Sequence, residues 1–142
     1  MKAIIISLIL FLSCTNGSFN DKPAISAFAG KLDVNGIEGK NGTVIKYGDI
    51  IKTGPNSFCE ITLNKRSIIK LAQNTVFVFN ISESENNFEL KSGSLTGLTR
   101  KKFVKQDRYL IKTPTGIAAV RGTSYYIHIE SPDSSYFCVC NG

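Results

Sequence analysis

Gly, Asn and Pro interrupt this chain about every ten residues from Pro23 onward, and the pieces between them are rich in Ile, Val, Thr, Phe and Tyr. That cadence leaves no stretch in which an amphipathic helix could sustain its 3.6-residue period. It suits strands of about five residues joined by tight turns. The expected strands are residues 25–28, 31–34, 43–47, 49–52, 58–63, 67–71, 75–80, 88–91, 94–98, 109–112, 117–121, 124–130 and 136–140. Asn35-Gly36 and Asn41-Gly42 mark turns, because both residue types tolerate positive backbone angles. Thr53-Gly54-Pro55-Asn56-Ser57 marks another.

Two segments foretell burial. In residues 58–63, Cys59, Ile61 and Leu63 share one face and Phe58, Glu60 and Thr62 the other, the alternation of a half-buried strand. Residues 75–80 are almost continuously apolar, which predicts a strand covered on both faces. Residues 82–87 are polar and predict a loop. About a dozen short strands make an all-β domain, in a sandwich, a barrel, a meander or a solenoid-like stack. With 142 residues, 42% of them hydrophobic and 20% charged, there is material for one such domain, expected over residues 23–142, with a real core.

The first 22 residues are of another kind. Lys2 gives a positive start, and residues 3–12 are apolar apart from Ser7. As a helix this run would span roughly 15 Å, half of a hydrocarbon core of about 30 Å, so it suits export and not a stable crossing. Phe11-Leu12-Ser13-Cys14 looks like a bacterial lipobox, although Phe11 replaces the usual Leu. Residues 1–13 are therefore expected to be a lipoprotein-type signal peptide. Cys14 becomes the acylated N-terminus, and residues 14–22 a flexible polar tether. Thr15 stands where an Asp retains lipoproteins at the inner membrane of enteric bacteria, which points to the outer membrane.

Side chains with chemistry to offer are few. The net charge of +6 becomes +5 once Lys2 leaves, and much of it sits in Arg100, Lys101, Lys102, Lys105 and Arg108. No aromatic stacking pattern or nucleic-acid motif accompanies that cluster, which reads as a solvated loop; no nucleic-acid partner is expected. His128 is the single histidine, with no Ser or Cys placed to form a catalytic pair with it. Gly93-Ser94-Leu95-Thr96-Gly97 sets its Ser one position too early for a nucleophile elbow, and no phosphate-cradling loop appears. The expectation is a non-catalytic protein without cofactor or metal. Cys138 and Cys140, two apart in a strand, face one side and are poorly placed to bond each other. Either could pair with Cys59 if the last strand lay beside residues 58–63; otherwise Cys59 is a small apolar core residue.

Residues 111–127, IKTPTGIAAVRGTSYYI, form the most distinctive stretch. Pro114 and Gly116 punctuate a turn, and Arg121-Gly122-Thr123 precedes a strong strand. This resembles the hallmark of the FecR-type periplasmic domain. An earlier block fits the same family: the run from Gly48-Asp49-Ile50 to Ser57, then Ile61, Leu63, Ile69 and Leu71, as does Leu-x-x-Gly-x-Leu at positions 90–95. The resemblance runs from about Ala24 to the end and implies an envelope recognition domain. Asp49, Thr53, Arg121 and Thr123 are the polar members of this signature. Arg121, half-buried, is expected to pair with a carboxylate such as Asp49 as a structural clamp, or to contact a ligand together with Thr123.

Well-known relatives add a cytoplasmic anti-sigma segment and one membrane span, and receive a signal from an iron-siderophore transporter. This chain carries neither addition, so direct sigma-factor contact is not expected. It also stops at Asn141-Gly142, where relatives usually continue into a further strand, so either the sequence is truncated there or an unpaired edge is expected. The reading is a membrane-anchored binding, sensing or scaffolding module with an envelope protein as partner. A component of an iron-uptake relay and an envelope enzyme are its alternatives. The enzyme requires His128, Arg121 and a carboxylate in one pocket.

Overall fold

The computed structural model describes residues 22–64, 67–81, 86–99, 108–122 and 124–140. These form thirteen strands in two open sheets, with no helix among the described residues. One sheet has six strands, in the order β1 (Ala24–Ala29), β5 (Phe58–Asn64), β6 (Ser67–Leu71), β9 (Ser94–Thr99), β12 (Ser124–Ser131) and β13 (Ser134–Cys140). The other has seven, in the order β11 (Gly116–Arg121), β10 (Arg108–Thr113), β8 (Asn86–Ser92), β7 (Val76–Ile81), β4 (Asp49–Thr53), β2 (Leu32–Val34) and β3 (Ile37–Glu38). Apolar side chains from both sheets merge in one core, so the arrangement is a sandwich.

Period-two alternation sets the register. Cys59, Ile61 and Leu63 point inward from β5, as their spacing predicts, and oppose inward residues of β6 in the pairs Cys59–Leu71 and Ile61–Ile69. The next strand continues the face with Leu95 against Leu71 and Gly97 against Ile69. Gly97 is small for a reason: a Cβ there would stand 2.0 Å from the ring of Tyr125, its cross-strand partner. That glycine lets the Tyr125 ring lie flat across the sheet and stay buried. In β7, Phe77, Val78 and Phe79 are all buried, in keeping with the apolar run.

Two expectations need correction. Residues 43–47 are not a strand: Val44 makes one isolated bridge to Ala24. Asp49 Oδ2 accepts the Lys46 amide at 2.7 Å and bends the chain into a turn. Residues 86 and 87, expected in a loop, open β8 instead, paired with Ile81 and Asn80 of β7. The chain also contains a connection that composition does not announce. β10 runs parallel to β8, through Ile111–Phe88, after crossing into the other sheet as β9.

Candidate functional site

Two of the signature residues, Asp49 and Thr53, tie down turns at the two ends of β4. Asp49 Oδ1 accepts from Asn35 Nδ2 at 2.8 Å, and Asn35 Oδ1 accepts the Ile50 amide at 2.8 Å, so one carboxylate ties the β2–β3 turn to the start of β4. At the other end of β4 the chain changes sheet. There Thr53 Oγ1 donates to the Ala72 carbonyl and accepts the Thr75 amide at 3.0 Å. Thr75 Oγ1, fully buried, accepts the Ser94 amide at 3.1 Å. Gly93, at φ +81°, packs so closely on Thr75 that a Cβ would lie 2.3 Å from Thr75 Oγ1. Ser57 Oγ accepts the Lys31 amide at 2.8 Å, and Thr113 Oγ1 donates to Gly116 O at 3.1 Å across the β10–β11 hairpin. Each hydroxyl stands in for backbone partners that a turn or a sheet-to-sheet corner cannot supply.

Arg121 does not join Asp49. Three strands (β10, β8 and β7) separate β11 from β4, about 19 Å at the usual strand spacing. Its side chain is exposed on the outer face, beside Arg108 across the hairpin, and not half-buried. The separation rules out the expected pair, and the Asp49 carboxylate instead accepts from the Lys46 amide and the Asn35 side chain. Thr123 and Cys14 lie outside the described residues, as do Arg100, Lys101, Lys102 and Lys105.

Cysteines divide into two environments. Cys59 is fully buried, and burial pushes its thiol up to about 12, with the Glu60 charge adding to the effect. Three strands (β6, β9 and β12) stand between it and β13, so Cys59 cannot reach Cys138 or Cys140 and all three remain thiols. Cys138 and Cys140 share the outer face of β13, with their sulfurs 3.5 Å apart. Across the ladder Cys138 stands opposite Tyr126 and Cys140 opposite Ser124. Tyr136, Tyr126 and His128 continue the same face: the Tyr126 ring lies 6.3 Å from Tyr136 and stacks at 6.4 Å on His128. The neighbouring Cys138 raises the Tyr136 phenol, and the hydrogen bond with Cys138 raises the Cys140 thiol.

No catalytic arrangement comes together among these groups. His128 points outward from the six-stranded sheet and Arg121 outward from the seven-stranded one, so the pocket the enzyme alternative requires is not formed between them. Nδ1 of His128 is shielded and makes no hydrogen bond among the described residues. No cluster of three or more His, Cys, Asp or Glu able to hold a metal is present among the described residues.

The most prominent uncovered apolar feature lies at an edge. β13 closes the six-stranded sheet and β11 the seven-stranded one, and each has one strand neighbour among the described residues. Between them lies a cleft of about 330 Å³ lined by Ala118, Val120, Tyr125, Ile127, Phe137 and Val139 among others, with no charged side chain. Phe137 and Val139 face the core side of β13, yet are 40% and 59% exposed, because the cleft separates them from β11 of the opposite sheet. Ile117, on the rim, is 68% exposed. Reasoning on the sequence singled out none of these three. The signal was present: residues 136–140 are apolar or thiol-bearing at every position, one more face than a terminal edge strand buries.

A sequence profile for the family described as FecR protein matches residues 49–142. No curated protein and no solved structure matches the chain. No helix among the described residues is long and apolar enough to cross a membrane.

Proposed function

Because this chain belongs to the FecR family, a family of envelope-associated sensing and signalling domains, we propose that it is a non-catalytic recognition module held at a bacterial membrane. Its anchor is a lipid on Cys14, with Thr15 directing it to the outer membrane and residues 14–22 as tether. The module binds an envelope protein by accepting a strand at the outer edge of β13, which has one strand neighbour among the described residues. The carrying observation is the apolar, uncharged cleft between β11 and β13, with Phe137, Val139 and Ile117 uncovered beside it.

The chemistry of the partner follows from that cleft. An added strand would pair its backbone with the outer edge of β13 and lay alternate apolar side chains over Phe137 and Val139. A charged strand would leave a charge against an apolar wall and be rejected. The signature polar residues engaged in corner hydrogen bonds support a scaffold role for them, which leaves recognition to the edge.

The test is site-specific photo-crosslinking in the producing cell. A crosslinking amino acid at position 139 or 117 is expected to give one discrete adduct, and the same group at Tyr47, exposed on a remote turn, none. Once the adduct's partner is identified and purified, Val139→Glu should weaken its binding by about tenfold or more while leaving thermal unfolding unchanged. Equal adducts at all three positions would sink the edge as the binding site. In parallel, mass spectrometry of the mature N-terminus should show an acylated Cys14 that is absent from Cys14→Ser; an unmodified Cys14 would remove the anchor.

A further inference from the structure

We propose that Cys138 and Cys140 form a two-thiolate site for a soft monovalent metal ion of the Cu(I) type on the outer face of β13. The site is built by strand geometry. Residues two apart in a strand rise together on one face about 6.6–6.8 Å apart. A disulfide needs its Cβ atoms about 3.5–4.5 Å apart, so direct bonding would require the strand to buckle. The ladder opposes that, since Cys138 and Cys140 are paired with Tyr126 and Ser124 of β12.

The two sulfurs nevertheless lean together, to 3.5 Å. An ion bridging them at about 2.3 Å from each sulfur would place them roughly 3.8 Å apart at a tetrahedral angle and roughly 4.6 Å apart in line. Small rotations about the two side-chain bonds cover that opening without moving the backbone. The spacing that is too wide for a sulfur–sulfur bond therefore suits a sulfur–metal–sulfur bridge.

Donor number and softness narrow the ion. Among the described residues these two thiols converge without belonging to any set of three or more ligating side chains. Zn(II) prefers four ligands, whereas Cu(I) and Ag(I) are satisfied by two thiolates. Tyr136 and Tyr126 wall one side, and Cys140 is exposed for entry. Binding forms two metal–sulfur bonds, breaks two S–H bonds and releases both protons to solvent. The ion keeps its oxidation state, and the bound site carries one negative charge.

The test uses the reduced full chain under anaerobic conditions, with Cys14→Ser as background so that the tether thiol does not compete. Cu(I) is supplied as its complex with a chromophoric chelator. One Cu(I) per chain should be withdrawn, and Cys138→Ser or Cys140→Ser should each weaken the competition ~100-fold or more. Cys59→Ala should retain it, because that thiol is buried on the far side of the ladder. Circular dichroism on the serine variants confirms that the sheet persists. Undiminished withdrawal by the Cys138→Ser/Cys140→Ser double variant overturns the proposal, as does Zn(II) displacing Cu(I) stoichiometrically. Quantitative formation of a Cys138–Cys140 disulfide under mild oxidant, read as a loss of two hydrogens in the peptide mass, overturns the spacing argument.

Discussion

Cys59 and the Cys138–Cys140 pair carry the same functional group into opposite roles. Between Leu71 across the ladder and the facing sheet, the Cys59 thiol has no water to solvate its thiolate, so its titration moves up to about 12. Above the ordinary value of 9.0 the unfolded chain releases this proton while the folded chain keeps it. Stability is therefore whole below pH 9 and falls by about 1.4 kcal/mol per pH unit as pH rises from there towards the folded value. Urea unfolding at pH 8.5, 9.5 and 10.5 should show wild type losing stability faster than Cys59→Ala; parallel losses would contradict the assignment. Tyr125, whose phenol burial also pushes up, adds a loss of the same sign to both proteins.

At the scale of elements, the corners matter more than the strands they join. β4 to β5, β6 to β7 and β8 to β9 pass between sheets, and there the ladder cannot pair every amide. Thr53 and Thr75 supply the missing partners from side chains with almost no exposed surface. Thr75→Val keeps the shape but leaves the Ser94 amide without its acceptor, and should cost about 1–3 kcal/mol in chemical denaturation. Thr75→Ser retains the hydroxyl and should recover most of that loss; a valine variant as stable as wild type would show the hydroxyl to be dispensable. The β13 edge is the contrasting element, a strand with one strand neighbour among the described residues and a cleft between its inner face and β11.

For the molecule as a whole, stability resides where the sheets meet. Phe88 lies 5.3 Å from Phe77 and 5.6 Å from Phe79, and stacks on Tyr109 at 5.4 Å. This aromatic group joins β7, β8 and β10, and Tyr109 extends it to the other sheet by accepting a hydrogen bond from Asn64 at 3.2 Å. Phe88→Ala should lower global stability by about 3–5 kcal/mol, measured as the shift in the urea midpoint, because the rings around it cannot collapse into the gap. A cost below 1 kcal/mol would mean that the sheets are held elsewhere.

Local patterning determined the class of this fold. Alternation over residues 58–63, the apolar run ending at Asn80 and the Asn35-Gly36 turn are consequences of side-chain period and backbone angle, which act over a few residues and can be read from them. The family signature was legible for the same reason, as a set of turn and corner residues, yet what those residues do was not. Asp49 and Arg121 belong to one signature but end about 19 Å apart, because strand order is decided by how the two sheets bury their inner faces together. The same packing sets β13 away from β5, brings β10 alongside β8 in parallel, and leaves a cleft between β11 and Phe137 and Val139 of β13. The uncovered edge and the two thiols side by side on it are thus products of tertiary structure: exposure belongs to the assembled sandwich, and no strand carries it alone.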